Sequence, residues 1–491
     1  MKPEPDYDVA IIGAGFAGIG MAHKLRRAGV DRFVVLERGE AIGGTWRDNV
    51  YPGCACDIPS HLYSYSFRQN PAWSRLYPAQ AEIRQYLADC VDAFGVGDSI
   101  RCGLTVTRAE FDERQGFWRV ELDNGESLTT RALVSAVGGL SRPSTPEIEG
   151  LASTAVPVFH TAEWDETCDL AGKRIAVIGT GASAIQLVPQ VAKVADKVLV
   201  FQRTPPWVVP KFDRPMRRWE QWLMRHIPGS QKLFRALLYW RQEILGVGFT
   251  LSARLMAYGR YQARRHIRNS ITDPELRDAV TPDYEIGCKR VLLSDDYYPA
   301  LERDNVELNT HAVVRFQPDG VVDADGQMHA VDVAVFATGF NAVDPLSPTR
   351  IFGRGGRELA DVWESGPEAY LGITVTGFPN LFLLMGPNTG LGHNSVIFMI
   401  EAQIRYAVRL IRALKSDRNC ELDVKPEVQA SYNKELDSAF AGSVWSSGCK
   451  SWYQTAAGRQ FALWPGFTFT YWFRTLRPRL RDFNRSAHSG G

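Results

Sequence analysis

Absences narrow this chain before any motif is read. Its 491 residues hold eight cysteines and no C-x-x-C; the closest pair, Cys54 and Cys56, is C-x-C. So sparse a set with no even framework of close spacings points to a reducing compartment. It also excludes a dithiol reductase, because alternate residues of an extended segment sit poorly for a strain-free bridge. Neither charge is in excess: 56 Lys and Arg face 55 Asp and Glu, for a net charge of +1. A nucleic-acid partner, which needs a basic surplus, is not expected.

Long apolar runs are missing as well. The most membrane-like stretch, Tyr370 to Pro387, is broken by Gly372, Gly377, Pro379 and Asn380. It reads as two short buried strands, since a spanning helix needs about 20 unbroken apolar residues. Met1 to Asp6 has no apolar signal-peptide core. A soluble, cytoplasmic protein without stable membrane insertion is expected, as a monomer or weak homodimer. With 45% hydrophobic and 23% charged residues, disorder is excluded. The length allows about three domains.

What is present is a plan used twice. The apolar strand Tyr7 to Ile12 runs into Gly13-Ala14-Gly15-Phe16-Ala17-Gly18 and a helical stretch to Ala28, and a second strand, Phe33 to Leu36, ends at Glu37. Strand Arg174 to Ile178 runs into Gly179-Thr180-Gly181-Ala182-Ser183-Ala184, and Val198 to Phe201 runs into Gln202-Arg203. The first glycine permits a tight turn, and the second lets backbone N–H groups approach a pyrophosphate. The third position must be small so that helix and strand can pack. Ala184 meets that demand. Two such turns, each between strand and helix, are far more specific than one. Each unit also has a closing strand, Ala132 to Val137 before Gly138-Gly139 and Asp332 to Ala337 before Thr338-Gly339.

The expected fold class is α/β, with two Rossmann-like dinucleotide-binding domains. A split first domain covers residues 1–145 and 343–491, and the second covers 146–213 and 286–342. A helical insertion, 214–285, interrupts the second. Within it Leu233, Leu237, Trp240 and Ile244 recur on one helical face. From Arg214 to Arg268 twelve basic residues stand against Glu220 and Glu243. That bias reads as a solvated basic face; the sharper alternative is attraction to an acidic partner or membrane surface. The aromatic stretch Leu463 to Phe473 is expected to pack on the first domain and help line a substrate cavity, the alternative being an interfacial patch.

Glu37 and Arg203 each lie 24 residues beyond the first glycine of their unit. That is where a ribose 2′ position is read. A carboxylate accepts a bond from a free 2′-hydroxyl and repels a phosphate; a guanidinium does the reverse. The first unit should take FAD and the second NADPH.

The segment Gly43-Gly44-Thr45-Trp46-Arg47-Asp48-Asn49-Val50-Tyr51-Pro52-Gly53-Cys54-Ala55-Cys56-Asp57 resembles the G-G-x-W…[YF]-P-G-x-x-x-D fingerprint of Baeyer–Villiger monooxygenases. Phe159-His160-Thr161-Ala162-Glu163-Trp164-Asp165 is similar to the end of that family's linker fingerprint, and Ala337-Thr338-Gly339-Phe340 to its A-T-G motif. Thr154 and Val156 stand where the linker fingerprint has Phe and Gly. Ile286-Gly287-Cys288-Lys289-Arg290 resembles the family's catalytic K-R segment.

The resemblance, from about Tyr7 to Trp452, implies an FAD enzyme that uses NADPH and O₂ to convert a ketone into an ester or lactone through a C4a-peroxyflavin. Sulfoxidation is implied as a side activity. Arg290 is the implied catalytic cation, with Asp57 orienting it. In the first unit, cofactor contacts are implied for Gly13, Gly15, Phe16, Gly18, Glu37, Arg38, Gly44, Thr45, Trp46, Tyr51 and Asp57. Elsewhere they fall on Gly179, Thr180, Gly181, Ser183, Ala184, Gln186, Arg203, Thr204, Lys289, Thr338, Gly339 and Trp452. His160 and Trp164 are expected to be structural, at a hinge between domains, and no metal is expected. Two alternatives stay open: a related monooxygenase acting on a sulfide or amine, and an FAD/NADPH flavoprotein that no longer oxygenates.

Overall fold

A computed structural model describes residues 4–250, 256–341, 346, 348–416, 420–441, 443–449, 451–455 and 457–487. The boundary placed between residues 342 and 343 falls outside the described residues. Two sheets organise what is seen. The first has eight strands, drawn from Tyr7–Ser135 and Arg350–Leu383. At its centre Tyr7–Ile12 pairs in parallel with Phe33–Leu36 on one side and Ser127–Ser135 on the other. Leu381–Leu383 and Phe117–Leu122 share the far edge of Ser127–Ser135, the former parallel and the latter antiparallel. The second sheet has five parallel strands, in the order Val306–Asn309, Lys197–Phe201, Arg174–Ile178, Val333–Phe336 and Val158–His160. Both central strands are wholly apolar where the neighbours flank them, as a sheet covered on both faces requires.

The repeat in the sequence is a repeat in hydrogen bonds. Gly13 N–H donates to Leu36 O at 2.8 Å, and Gly179 N–H to Phe201 O at 3.0 Å. Ala136 N–H donates to Ile12 O at 2.8 Å, and Ala337 N–H to Ile178 O at 2.9 Å. Both first glycines have positive φ, +102° and +110°. A Cβ on them would lie 2.7 Å from Ala136 O and 2.6 Å from Ala337 O respectively. Only glycine fits there, because the closing strand presses against the turn.

Tyr370–Pro387 departs from the sequence expectation of two strands. Only Leu381–Leu383 is a strand; Tyr370 and Thr374 form an isolated bridge around a turn in which Leu371 and Gly372 both have positive φ. Extended pairing cannot run through two left-handed residues. The insertion is helical, as Arg218–His226, Ser230–Thr250, Ala257–Ser270 and Pro274–Ala279. Its longest helix buries Leu238, Gln242, Glu243 and Gly246, and so turns the Leu233–Ile244 face to solvent. That outward face is apolar as well as basic. In the C-terminal stretch Trp464 and Tyr471 join the core of the first unit, while Phe473 is exposed.

Candidate active site

One cavity of about 1090 Å³ runs between the two glycine turns. Gly13, Gly15 and Phe16 form one part of its wall and Gly179, Thr180, Gly181 and Ser183 another, with Thr338 and Gly339 also lining it. Added Cβ atoms on Gly15 and Gly181 would meet nothing nearer than 3.8 Å. The second glycines therefore face open space, as backbone approach to a pyrophosphate requires. Gly18 and Ala184 do not line the cavity. A Cβ on Gly18 would sit 1.8 Å from Gly13 O, and Ala184 is fully buried. Their smallness serves helix–strand packing.

Glu37 lies on the cavity wall, and its carboxylate is already engaged. Oε2 accepts from Ala14 N–H at 2.7 Å; Oε1 accepts from Gly39 N–H at 2.9 Å and from Arg47 Nη1 at 2.6 Å. A carboxylate has about four acceptor positions, so one is left for a ribose hydroxyl. Arg47 was not singled out in the sequence. It reaches Glu37 because the one-turn helix Thr45–Asp48 folds back over the glycine turn, with Gly44 Cα in reach of Gly15. Arg38 donates to Ser141 O at 2.9 Å, and Trp46 Nε1 to the Tyr63 hydroxyl at 3.2 Å.

The segment from Thr45 to Asp57 leaves the first unit and docks on the second. The Tyr51 ring lies in the second unit's core, and its hydroxyl donates to Gln186 Oε1 at 2.9 Å. Gln186 Nε2 donates to Ala55 O at 2.9 Å. Gly53 has φ +84°, and a Cβ there would lie 2.5 Å from Gln186 O. Gln186 also lines the cavity, so it stands at the seam between the units. Burial pushes the Cys54 thiol up to about 11, and Cys56 is raised as well. Both shifts favour the neutral thiol over the reactive thiolate.

At the end of that segment Asp57 meets Arg290. Arg290 Nη2 and Nε both donate to Asp57 Oδ2, at 2.5 and 3.2 Å. Both side chains line the cavity. Burial raises the Asp57 carboxyl, but the charge and hydrogen bonds of Arg290 outweigh it and hold the group below its ordinary range. The Asp57 charge in turn raises Arg290. Each partner thus favours the charged form of the other. Behind it lies Tyr453, buried, its hydroxyl without a hydrogen-bond partner among the described residues. Burial pushes that phenol up to about 12 against the pull of Arg290.

Lys289 and Arg203 form a second positive cluster on the same wall. Burial and then the Arg203 charge lower the Lys289 ammonium, and its Nζ stands 4.7 Å from the Tyr284 ring centre. A lysine whose charge is disfavoured by a neighbouring guanidinium makes, with it, a site for a multiply charged anion. Thr204 lies on this wall too, and its carbonyl accepts from the Thr180 hydroxyl at 3.3 Å. Trp452, 47% exposed, also lines the cavity.

His160 and Trp164 do not reach the cavity. His160 Nδ1 accepts from Ala162 N–H at 3.1 Å, and the ring packs edge-on against Phe340; burial holds its pKa low. Trp164 packs on Phe159, with ring centres 4.9 Å apart. Cys288 and Cys449 are joined as a disulfide, a pairing that the sequence reading did not single out. Their separation of 161 residues hid the pairing. Among the described residues no group of His, Cys, Asp or Glu is arranged for a metal, and no helix is long and apolar enough to cross a membrane.

Residues 10–225 match the family model described as pyridine nucleotide-disulphide oxidoreductase. A Baeyer–Villiger monooxygenase of Pseudomonas aeruginosa is 47% identical over 98% of this chain and 90% of its own length. The chain belongs to the Baeyer–Villiger monooxygenases. A second relative of that name, from Streptomyces coelicolor, is 44% identical over 97% of this chain and 92% of its own length. Among solved structures, OTEMO in complex with FAD and NADP superposes with a TM-score of 0.89 at 28% identity, covering 99% of this chain and all of that one. The closed form of cyclohexanone monooxygenase gives 0.88 at 28% identity, over 98% of this chain and 99% of its own. Like its family, this Baeyer–Villiger monooxygenase is an FAD-containing, NADP-dependent enzyme, and the cavity has the two glycine turns that such a pair of dinucleotides needs.

Proposed function

We propose that this enzyme inserts one atom of O₂ beside a ketone carbonyl, with Arg290 as its catalytic cation. The balance is ketone, O₂, NADPH and a proton in; ester or lactone, NADP⁺ and water out. The observation that carries the reading is the Arg290–Asp57 ion pair on the wall of a cavity shared by both glycine turns. Sulfoxidation is a side activity, and the enzyme works in the cytoplasm.

Bound FAD supplies the oxygen activation, and the chain supplies position and charge. Glu37 takes the free ribose of FAD, with Arg38, Thr45 and Trp46 flanking it. Arg203 and Lys289 take the 2′-phosphate of NADPH through charge-assisted bonds. Arg290 stays protonated at any working pH. Its fixed charge stabilises oxyanions that form during attack on the carbonyl. At about 4 Å and an effective dielectric of about 20 that is worth roughly 4 kcal/mol, about a thousandfold in rate. Asp57 holds the guanidinium in place so that no reorganisation is needed when the charge develops. Trp452 and the segment Phe461–Leu463 help keep water from the reacting atoms.

The test is a screen of NADPH consumption over cyclic, linear and aryl ketones and sulfides, with products identified. Esters or lactones from ketones are expected. Turnover confined to sulfides would overturn the ketone assignment.

A further inference from the structure

The helical insertion presents the wrong face to water for an ordinary surface element. On the helix Ser230–Thr250, Leu233, Leu237, Trp240 and Ile244 are each between 55% and 69% exposed. On the preceding helix Arg218–His226, Trp219 and Trp222 are 58% and 57% exposed. The two helices are tied together: Ser230 Oγ donates to Leu223 O at 3.0 Å, and Gln231 Nε2 to Met224 O at 2.9 Å. Trp240 also reaches Phe469, with ring centres 6.1 Å apart, so the surface continues into the aromatic C-terminal stretch. A helix that serves only as a solvated cover carries its apolar stripe inward. Here the inward side is taken by Leu238, Gln242 and Glu243, and the outward side is a second apolar stripe.

Charge says what covers it. Exposed Arg217, Arg218, Arg225 and Lys232 border the stripe. The only carboxylates between residues 214 and 250 are Glu220 and Glu243, and both are buried. Glu220 is paired with Arg214, and Glu243 accepts from Asn394 and Thr468. The outward face of these two helices therefore carries apolar and cationic groups with no exposed acid. A second copy of the chain is a poor fit, because a two-fold contact would bring the same cations together. Indole rings and long apolar side chains rimmed by Arg and Lys suit the headgroup region of a bilayer, where the cations meet lipid phosphate.

We infer that this face docks the enzyme peripherally on an anionic lipid bilayer, with Trp222, Leu237, Trp240 and Ile244 at the acyl boundary. The experiment is co-sedimentation of the FAD-loaded enzyme with vesicles of phosphatidylcholine alone, or of phosphatidylcholine and phosphatidylglycerol in equal parts. Binding is expected to the anionic vesicles only, and to fall with added salt. The combined variant Leu237→Ser/Trp240→Ser/Ile244→Ser should weaken it about tenfold or more while NADPH oxidation is unchanged. A charge variant, Arg217→Glu/Arg218→Glu/Arg225→Glu, should do the same without touching the apolar stripe, and it decides the matter if the serine variant does not fold. Wild-type protein left in the supernatant with anionic vesicles at low salt would overturn the inference. So would variants that bind like wild type, or a dimer in solution that the serine variant dissociates and anionic vesicles do not.

Discussion

Cys288 is bonded to Cys449, with Cα atoms 6.2 Å apart. The first lies two residues before Arg290 and the second three residues before Trp452. One covalent link thus joins the segment that carries Arg290 to the segment that carries Trp452, and both line the cavity. The remaining six cysteines are free. Alkylation of the denatured, unreduced protein should label six thiols, and eight after reduction; mass spectrometry reads both numbers. Eight without reductant would mean that the pair is a dithiol in the isolated enzyme.

Arg290→Ala should leave FAD content and NADPH-driven flavin reduction close to wild type and lower ester formation by about a hundredfold or more. Stopped-flow absorbance separates the two steps. Asp57→Asn keeps the charge of Arg290 but loses its anchor, and should give a smaller loss in the same step. Ester formation that survived in Arg290→Ala would remove the cation from the mechanism.

Arg203→Ala should raise KM for NADPH far more than for NADH, because only NADPH carries the 2′-phosphate. Lys289 adds a pH signature. Its ammonium is held below the ordinary lysine range by burial and by Arg203, so it loses its proton at lower pH than a free lysine. KM for NADPH should therefore climb on the alkaline side earlier than an ordinary lysine would allow. Lys289→Arg should push that rise to higher pH, and an unmoved limb would sever Lys289 from the phosphate.

Glu37→Gln should lower FAD retention and stability together. Glu37 and Arg47 are both largely buried at 2.6 Å, and removing one partner of a buried pair costs about 3–5 kcal/mol. Thermal unfolding and flavin content after gel filtration measure the two effects. Arg47→Met should lower stability too, which the ribose role of Glu37 alone does not predict.

His61 should give the fold an acid limb. Burial lowers its pKa to about 4, and its Nε2 has no partner among the described residues. Between the ordinary histidine value and about 4 the unfolded chain holds the extra proton, so stability falls as pH drops through that window. His61→Gln should flatten this part of the curve. Denaturant midpoints across that range are the measurement.

The order of the amino acids alone made legible the two glycine turns, their flanking strands and the opposite charges of Glu37 and Arg203. Each of these is set by neighbours within a few residues, or by a strand–turn–helix of fixed length, so periodicity and glycine placement suffice. It also brought Asp57 and Arg290 under notice, although only by family resemblance. Tertiary structure decided that they meet, because 233 residues separate them and no local rule spans that distance. It likewise decided that Arg47 engages Glu37, that Tyr51 crosses to Gln186 and that Cys288 finds Cys449. The helix Ser230–Thr250 draws the line most plainly. A 3.6-residue period says that one side of a helix is apolar; which way that side points depends on what the other side packs against, and that is settled only when the rest of the chain is in place.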